Sequence, residues 1–456
     1  MADKISAFKN NIKNKEISVI GIGVSNRPLI NFLADNGAVV TAHDKKTEKE
    51  LGDVAQELKK KGVKLILGER YLDEISGEIV FKTPGLRFDH PALEQARKRG
   101  AVVTSEMEVF CDLCPANLIA VTGSDGKTTT TTLIYKMLTE AGFQTYLGGN
   151  IGMPLLSRVE EIEKSGYVVL ELSSFQLHTM KTSPQIAVVT NITPNHLDYH
   201  KDYEEYIDAK KNILNFQTED GTAVLNLDNE VTRGFVKEAK GRTLTFSKEH
   251  CSADIYFDGA DIYAFGKKVL SARDIQIPGQ HNVENYMAAI GAVYDLVPEE
   301  VIRIVAKTFG GVEHRIELVR ELDGVKYYNS SIDSSPNRTK NTLNVFSQPV
   351  VLIAGGKDKG IPYDEIGKPI LDHVKTLILI GATSQVIFEA VKAEMDRQHK
   401  QIPVFFETDY EAAVRRAKDA ASAGDVVLLS NASTSFDMFR NFEERGNRFK
   451  ELVNRL

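Results

Sequence analysis

Short apolar runs alternate with stretches of helical periodicity along the whole chain. The runs have the length and the Val, Ile and Leu content of buried strands: ISVIGIG, AVVTAHD, VKLILG, LIAVTG, YVVLELS, IAVVTNI, TAVLNLD, VVLIAGG, TLILIGA and VVLLSNA. Nearly continuous apolar strands separated by helices are typical of parallel sheets covered on both faces. The pattern therefore predicts an α/β protein.

The alternating series restarts twice along the chain, which predicts three domains. The first series runs to about 103–105, the second opens at Leu118 with its own glycine loop, and the third opens near 324–328. The length of 456 residues agrees, because one domain usually holds about 100–200 residues. We expect boundaries near 105 and 311, which gives the domains 1–105, 106–311 and 312–456.

Composition and charge exclude several classes of protein. The 56 Lys and Arg residues and 63 Asp and Glu residues give a net charge of −7 without a basic block, so we expect no nucleic-acid partner. No apolar run approaches the ~18 residues of a membrane span. The basic start, MADKISAFKNNIKNK, lacks the apolar stretch of a secretory signal, so we expect a cytoplasmic protein.

The three cysteines do not indicate a disulfide framework or a metal site. Cys111 and Cys114 have no second CxxC pair to complete a zinc site. We interpret the cysteines as small buried side chains or unreactive thiols.

The segment LIAVTGSDGKTTTTT joins an apolar strand to a helix through a glycine loop. Gly123 and Gly126 let the backbone wrap a polyphosphate, Lys127 adds a cation, and the Thr128 hydroxyl can bind Mg²⁺. The usual phosphate-loop spacing has one more glycine, where this chain has Val121. The strand, loop and helix together still predict a nucleotide-binding loop.

A second glycine loop follows the first predicted strand. Gly21 and Gly23 are followed by Asn26 where a dinucleotide site has its third glycine, and Asp44 ends the next strand. Pro28 suits the first turn of a helix. The loop is compatible with a nicotinamide dinucleotide, with another nucleotide diphosphate, or with a structural turn that binds nothing.

Two further residues, Glu171 and His196, are candidates for metal binding. Glu171 ends one apolar strand and His196 follows another, so both belong at the sheet edge where Lys127 must lie. Each residue alone is compatible with a merely structural hydrogen-bonding role. Lys210 shares a helix face with Tyr206, and its spacing alone favours a solvent-exposed helix lysine.

These segments and others, taken in order, resemble the signature blocks of the Mur ligases, most of all those of the branch that adds D-glutamate. The blocks cover almost the whole chain: GIGVSN, TPGL, TGSDGKTT, GGNIG, LELSSFQL, NITPNHLDYH, AK at 209–210, GQHNVEN, EHRIE, GGKDKG and LLSNASTSFDMFRNFEERGNRF.

The resemblance implies a three-domain fold, in which N- and C-terminal Rossmann-like sheets flank a central P-loop-type ATPase domain. It implies a ligase that uses ATP and two Mg²⁺ ions to activate the carboxylate of UDP-N-acetylmuramoyl-L-alanine as an acyl phosphate, which the amine of D-glutamate then attacks. Such an enzyme belongs to cytoplasmic peptidoglycan precursor synthesis. The partners are then small molecules, and we expect a monomer.

The resemblance also implies roles for individual residues. The catalytic residues are Lys127, Lys210, His196 and Arg315. ATP contacts Gly123, Ser124, Asp125, Gly126, Lys127, Thr128, Thr129, Asn282, Asn285, Arg315 and Asp333. The UDP-linked substrate contacts Gly21, Gly23, Asp44, Lys45, Thr83, Pro84, Gly85, Asn150 and His196. The incoming amino acid contacts Lys359, Ser430 and Phe436. The Mg²⁺ ions bind Thr128, Glu171, His196 and Lys210, the last as a carbamate.

Two departures from the family pattern affect these expectations. The chain has SSIDSSPNR at 330–338 where the family has an Asp-Ser-Lys block, so Asp333 and Arg338 are candidates to replace the missing Asp and Lys. The family arginine near the uridine diphosphate corresponds to Lys45 or Lys46, which keeps the charge but loses the bidentate geometry.

Three rival functions remain compatible with the residues. The first is a related ligase that adds another amino acid to a muramoyl peptide or a folate. The second is an oxidoreductase with a nicotinamide site at residues 21–44. The third is a nucleotide-sensing module that binds ATP without catalysis.

Overall fold

The strands of this protein form three mainly parallel sheets with helices between most successive strands, in a computed structural model that describes residues 2–456. Each apolar run identified in the sequence contains a strand, which confirms the α/β class. The chain divides into one compact unit of Met1–Ala272 with Val283–Val305 and another of Arg273–Asn282 with Ala306–Leu456. The first unit contains two of the sheets.

The first sheet is parallel throughout and has the strand order β3-β2-β1-β4-β5. Its strands are β1 Glu16–Ile20, β2 Val39–Asp44, β3 Lys64–Leu67, β4 Ile79–Phe81 and β5 Val102–Thr104. Its helices are α1 Ala2–Ile12, α2 Asn26–Asp35, α3 Glu48–Leu51, α4 Asp53–Lys60, α5 Pro91–Lys98 and α6 Glu106–Leu113. The strand order reverses between β1 and β4, which makes this position the topological switch point of the sheet. Ligands of such sheets bind beyond the carboxyl ends of the strands at the switch point.

The second sheet has the order β14-β13-β12-β11-β10-β9-β6-β8-β7. Its strands are β6 Asn117–Thr122, β7 Thr145–Gly149, β8 Tyr167–Glu171, β9 Ile186–Val189, β10 Thr222–Asn226, β11 Arg242–Ser247, β12 Ile255–Phe257, β13 Asp261–Ala264 and β14 Lys267–Ser271. Its helices are α7 Lys127–Glu140, α8 Ser174–Leu177, α9 Tyr203–Asn215, α10 Glu230–Phe235, α11 His281–Val293 and α12 Glu299–Thr308. Since β6 lies between β8 and β9, the segments after these three strands share one edge.

The third sheet belongs to the other unit and has the order β15-β16-β20-β17-β18-β19. Its strands are β15 Glu317–Leu322, β16 Val325–Asn329, β17 Val350–Ala354, β18 Val374–Ile380, β19 Val404–Glu407 and β20 Val426–Leu429. Its helices are α13 Pro336–Leu343, α14 Gly367–His373, α15 Ser384–Gln398, α16 Tyr410–Ala420 and α17 Phe442–Asn454. The series opens one strand earlier than the sequence indicates, because β15 pairs antiparallel with β16.

Central strands are buried on both faces, as helix-covered parallel strands must be. In β6 every residue after Asn117 is buried, and in β17 every residue is. This burial fixes the strand ends, so the loops that follow them start from rigid points. No helix within residues 2–456 is long and apolar enough to cross a membrane.

Candidate functional site

The loop between β6 and α7 depends on two glycines with left-handed backbone angles, φ 151° at Gly123 and 79° at Gly126. A Cβ atom would lie 1.9 Å from Oγ1 of Thr190 at the first position and 2.3 Å from Oδ1 of Asn285 at the second. Gly126 is the N-cap of α7, so the free N–H groups of the first helical turn point into the loop. The backbone therefore has the form that binds phosphate.

Hydrogen bonds from the side chains of Lys127 and Ser124 fix the position of this loop. The Lys127 ammonium donates to the carbonyl oxygens of Gly123 and Ser124 at 3.0 and 2.9 Å. The Ser124 hydroxyl donates to the carbonyl oxygen of Thr193 at 2.9 Å and lies 2.9 Å from the hydroxyl of Tyr206. The loop is thus connected to the segment after β9 and to α9, which carry two other predicted site residues.

Glu171 lies at the end of β8 and is 2% exposed. Its Oε1 accepts a hydrogen bond of 2.9 Å from the Asn150 side chain. Its Oε2 is buried without a hydrogen-bond partner within residues 2–456. A buried carboxylate oxygen with an unused lone pair suits a hard cation such as Mg²⁺, so the residues present fit that ion.

Lys210 is buried, at 2% exposure, which contradicts the solvent-exposed interpretation of its helix spacing. Its Nζ donates to the carbonyl oxygen of Gly123 at 2.7 Å and lies 4.8 Å from the ring centre of Tyr206. Burial and, to a smaller extent, the nearby charge of Lys127 lower the pKa of Lys210 to about 6. The amine is therefore largely neutral at neutral pH.

His196 lies after β9 in a left-handed conformation, with φ 53°, which is uncommon for a residue other than glycine. Its ring packs edge-on against Phe175 with centroids 5.0 Å apart. Partial burial lowers the pKa of His196, the carboxylate of Asp198 opposes this shift, and the charge of Lys127 adds to it. The structure thus brings the predicted catalytic residues of the first unit together at one sheet edge.

The remaining ATP-site predictions of this unit lie on the loop, on α7 and on α11. The backbone N–H of Asp125 donates to Oδ1 of Asn191 at 3.0 Å. Thr128 and Thr129 occupy the first turn of α7. Oδ1 of Asn285, on α11, accepts a hydrogen bond of 3.3 Å from the hydroxyl of Thr130 on α7. Asn285 therefore also borders the loop.

The predicted residues for the uridine diphosphate surround the switch point of the first sheet. A Cβ at Gly21 would lie 3.3 Å from Cβ of Thr83, which shows that the glycine loop and the 83–85 turn are neighbours. Asp44 ends β2, and its Oδ2 accepts from the backbone N–H of Ile22 at 2.6 Å. Three other predicted residues are exposed in this region: Gly23, Lys45 and Gly85.

A cavity of about 180 Å³ lies between these loops and the loop after β7. We call it the seam cavity, and its lining includes Ser25, Lys82, Pro84, Glu106 and Asn150. Pro84 and Asn150 were both predicted to contact the UDP-linked substrate. Lys82 follows β4 directly and was missed, since one lysine after three apolar residues gives no functional signal.

The predictions in the second unit concern the carboxyl ends of β16, β17 and β20. Asp333 is buried, and its Oδ2 accepts bonds of 2.7 Å from Thr342 and 2.8 Å from Ser430. Burial raises the pKa of Asp333. The Asp333 carboxylate and the Ser430 hydroxyl are therefore hydrogen-bonded to each other inside the domain, although both residues were predicted to contact substrates.

Other predicted residues of the second unit are more accessible. Lys359 donates to the Ser334 hydroxyl at 3.3 Å, and Phe436 is 61% exposed. Arg338 donates to the carbonyl oxygen of Ile332 at 3.1 Å.

Two more predicted contacts to ATP lie in this unit. The Asn282 side chain donates to the carbonyl oxygen of Pro278 at 2.6 Å. The backbone N–H of Arg315 donates to the carbonyl oxygen of Val312 at 2.9 Å.

Sequence reasoning also missed Arg445, a fully buried arginine on α17. Its guanidinium donates to Oγ and the carbonyl oxygen of Ser331 at 2.9 and 2.7 Å, and to the carbonyl oxygen of Ser433 at 3.1 Å. It thereby connects the segments after β16 and β20. Arg445 lies within the last of the segments that resemble the family, but nothing in the pattern of that segment indicates that this arginine is buried.

Family models match almost the whole chain. The MurD-like N-terminal domain of Mur ligases matches residues 15–105, the Mur ligase middle domain matches 121–293, and the Mur ligase glutamate ligase domain matches 314–432. The UDP-N-acetylmuramoylalanine–D-glutamate ligase of Acetivibrio thermocellus is 54% identical and covers 100% of this chain and 99% of its own. The enzyme of the same name from Clostridium novyi is 52% identical over 100% of both chains.

Solved structures show the same fold at low identity. UDP-N-acetylmuramate-alanine ligase MurC of Thermotoga maritima has a TM-score of 0.57 at 19% identity and covers 97% of this chain and 99% of its own. MurF of Acinetobacter baumannii has a TM-score of 0.58 at 17% identity, over 77% and 82% of the two chains. The three-domain α/β architecture is thereby confirmed.

Proposed function

We propose, since the chain belongs to the Mur ligase family, that it joins D-glutamate to UDP-N-acetylmuramoylalanine with conversion of ATP to ADP and phosphate. The observation that carries this conclusion is the identity of 54% over the full length to a ligase of that name. As a Mur ligase the protein is an ATP-dependent, ADP-forming enzyme that requires magnesium. This family membership does not favour the nicotinamide-dependent alternative.

The phosphate loop between β6 and α7 supports a role in phosphoryl transfer. A carboxylate and a triphosphate repel each other, so a site that joins them must supply positive charge. Lys127 and the N-terminus of α7 lie on the phosphate loop, where they would hold the transferred phosphate. The acceptor carboxylate takes the γ-phosphoryl group, and attack by the D-glutamate amine then forms the amide and releases phosphate.

Magnesium would neutralise the phosphate oxygens and orient them for transfer. Thr128, Glu171, His196 and Lys210 would hold it, in keeping with the unpartnered oxygen of Glu171 and the burial of Lys210 beside the loop. We propose that Lys210 is carbamylated, which would replace an amine with an oxygen ligand suited to Mg²⁺. Arg315, Asn282 and Asn285 remain proposed ATP contacts.

A phosphate-release assay tests the proposed reaction. We expect release with ATP, UDP-N-acetylmuramoylalanine and D-glutamate together, and none when any of them is omitted. The substitution Lys127→Ala should lower the rate at least about a hundredfold, because it removes a donor from the developing charge. The matched control Lys136→Ala changes an exposed lysine of the same helix and should behave as wild type.

Two results would contradict the proposal. Phosphate release that requires an amino acid other than D-glutamate would assign the protein to another branch of the family. A wild-type rate in Lys127→Ala would remove the phosphate loop from the reaction.

A further inference from the structure

Two histidines and a glutamate come together on the segments that follow β8 and β9. His178 is the C-cap of α8, His200 precedes α9, and Glu205 lies in the first turn of α9. These segments meet because β8 and β9 flank β6 and end at the same edge of the second sheet. The ligand atoms of the three side chains all lie within 4.8 Å of one another. We call these three residues the histidine cluster.

Each ring of the cluster has a nitrogen that the fold leaves without a hydrogen bond. The Nδ1 atoms of His178 and His200 are buried and have no hydrogen-bond partner within residues 2–456. The His200 side chain is 0% exposed, and its Nδ1 lies 3.4 Å from Oε2 of Glu205. Nε2 of His178 lies 3.7 Å from Oε1 of the same carboxylate. Buried ring nitrogens without a partner are unfavourable unless a ligand uses this place.

The charge states of the three side chains are those of metal ligands, which must be deprotonated. Burial and, to a smaller extent, the neighbouring His178 lower the pKa of His200 to about 4. Burial also lowers the pKa of His178. Hydrogen bonds from Arg87 lower the pKa of Glu205 to about 2, so this carboxylate is ionised. The cluster therefore offers two neutral imidazoles and one carboxylate, a donor set typical of zinc sites.

The surroundings of the cluster hold the two rings in position. Nε2 of His200 lies 2.9 Å from the Ser174 hydroxyl, and such a partner on the other nitrogen is what orients a metal-binding imidazole. The His200 ring stacks on Phe175 with centroids 5.8 Å apart, and Phe88 packs edge-on against His178 at 4.6 Å. These aromatic walls exclude water, which strengthens the attraction between a cation and the carboxylate.

Arg87 also bonds Glu205 but leaves room for an ion. Oε2 of Glu205 accepts two hydrogen bonds, whereas Oε1 accepts only one within residues 2–456, from Arg87, and keeps a free lone pair. The guanidinium bonds both oxygens of Asp89 as well, so it keeps an anionic partner when an ion shares Glu205. Arg87 and Lys82 act on His178 as cations, and the two carboxylates balance them.

A cavity gives an ion access to the cluster. His178 lines a cavity of about 620 Å³ together with Phe88 and Thr179. The His178 side chain is 10% exposed, so it lies between this cavity and the fully buried His200. Water from the cavity can complete the four-coordinate shell that three protein ligands leave open.

We propose that His178, His200 and Glu205 bind Zn²⁺ or a similar transition-metal ion, at a site separate from the Mg²⁺ of phosphoryl transfer. Two imidazole nitrogens favour such an ion over Mg²⁺, which prefers oxygen ligands. Zinc bonds of about 2.0–2.1 Å in a tetrahedral shell place ligand atoms about 3.3 Å apart. The ligand atoms of the cluster, within 4.8 Å of one another, need only small side-chain rotations to reach that spacing. The bound ion would join α8 to α9.

Zinc binding to two cluster variants tests the proposal. Metal-free protein is titrated with Zn²⁺ against a chromophoric chelator, with excess Mg²⁺ present to occupy the phosphoryl-transfer site. We expect wild type to bind one equivalent of Zn²⁺ at least about a hundredfold more tightly than His178→Gln or His200→Gln, because each variant lacks one ligand. X-ray absorption at the zinc edge should show two imidazole ligands in wild type.

A matched control and a stability measurement separate this site from other candidates. His250→Ala changes the histidine of a more exposed group with Asp228 and Glu249, and should bind Zn²⁺ as wild type does. Zn²⁺ should raise the melting temperature of wild type and of His250→Ala but not that of His178→Gln, because an ion that binds only the folded site stabilises the fold. If His200→Gln does not fold, the less buried His178→Gln decides.

Three outcomes would overturn the assignment: no binding of Zn²⁺ by wild type in excess Mg²⁺, equal affinity in wild type and His178→Gln, or a loss of affinity in His250→Ala that matches the loss in the cluster variants. The proposed ligation is judged separately by phosphate release. A wild-type protein that does not ligate D-glutamate would contradict the proposed function and leave the zinc site intact.

Discussion

Two adjacent lysines on α9 differ completely in environment and provide a test at the scale of the residue. Lys210 is buried against Gly123 of the phosphate loop, whereas Lys211 forms a salt bridge with Glu238 on the surface. We expect Lys210→Ala to lose nearly all ligation activity, because a proposed metal ligand is removed. Phosphate release should recover in part when acetate or another small carboxylic acid is added, since its oxygens can take the place of the carbamate.

The substitution Lys211→Ala is the control and should retain wild-type activity without any response to acetate. Full activity in Lys210→Ala would contradict a metal role for this lysine. A loss that no carboxylic acid restores, together with a lower melting temperature, would indicate that Lys210 only fills the core beside the loop.

The site residues differ in how far the sequence could reveal them. Gly123 and Lys127 follow from local spacing, because phosphate binding needs glycines and a cation in consecutive positions. Lys210 needed the family resemblance, since burial is a property of the folded chain and its spacing indicated the opposite. Lys82 and Arg445 gave no signal at all, because single charged residues become significant only when the fold encloses them.

At the scale of elements, an ion pair joins the turn after β4 to helix α9 within the first unit. The guanidinium of Arg87 donates to both carboxylate oxygens of Glu205, at 3.0 and 3.1 Å. These bonds lower the pKa of Glu205 to about 2, and the backbone N–H of Lys201 contributes as well. His178 and His200 face the same carboxylate. Burial lowers the pKa of both rings below the usual 6.5, so both are neutral at neutral pH.

The lowered pKa of Glu205 makes the contribution of this ion pair dependent on pH. A carboxyl with a lower pKa in the folded state stabilises the protein above its unfolded pKa, near 4.5, and that stability is lost as the pH falls towards 2. We expect Glu205→Gln to lower the free energy of unfolding by about 2 kcal/mol at pH 7. The difference from wild type should shrink steadily below pH 4.5, as measured by urea unfolding at several pH values.

The neighbouring Glu204→Gln is a matched control, because Glu204 is exposed on the same helix and should change stability little at any pH. A difference between Glu205→Gln and wild type that stays constant down to pH 3 would show that Glu205 does not carry this pH dependence.

The elements themselves divide into those that the sequence predicts well and those that it does not. Continuous apolar runs such as those of β6, β17 and β18 are visible because helices cover both faces of these strands. The strands β12, β13 and β14 were not recognised. They are short, and they pair antiparallel with one another, although β12 also pairs parallel with β11. Because β13 is buried only at alternate positions and a bulge interrupts its pairing with β14, no continuous apolar run marks them.

At the scale of the whole molecule, each sheet carries its candidate residues at the carboxyl ends of its strands. The loops concerned are 21–26 and 83–85 in the first sheet, 123–128 in the second, and 355–360 and 430–436 in the third. This arrangement follows from the parallel topology, which gathers the loops after neighbouring strands along one edge. Each substrate should therefore stabilise a different set of loops, and the difference can be measured directly.

Hydrogen exchange with one ligand at a time tests this division. UDP-N-acetylmuramoylalanine should slow exchange in 21–26 and 83–85, and an ATP analogue should slow it in 123–128, because bound loops open less often. Segments at the opposite strand ends, such as 36–38 and 61–63, should not change and serve as internal controls. An ATP analogue that protected 21–26 while leaving 123–128 unchanged would place the nucleotide on the first sheet, and the phosphate loop could then not act as proposed.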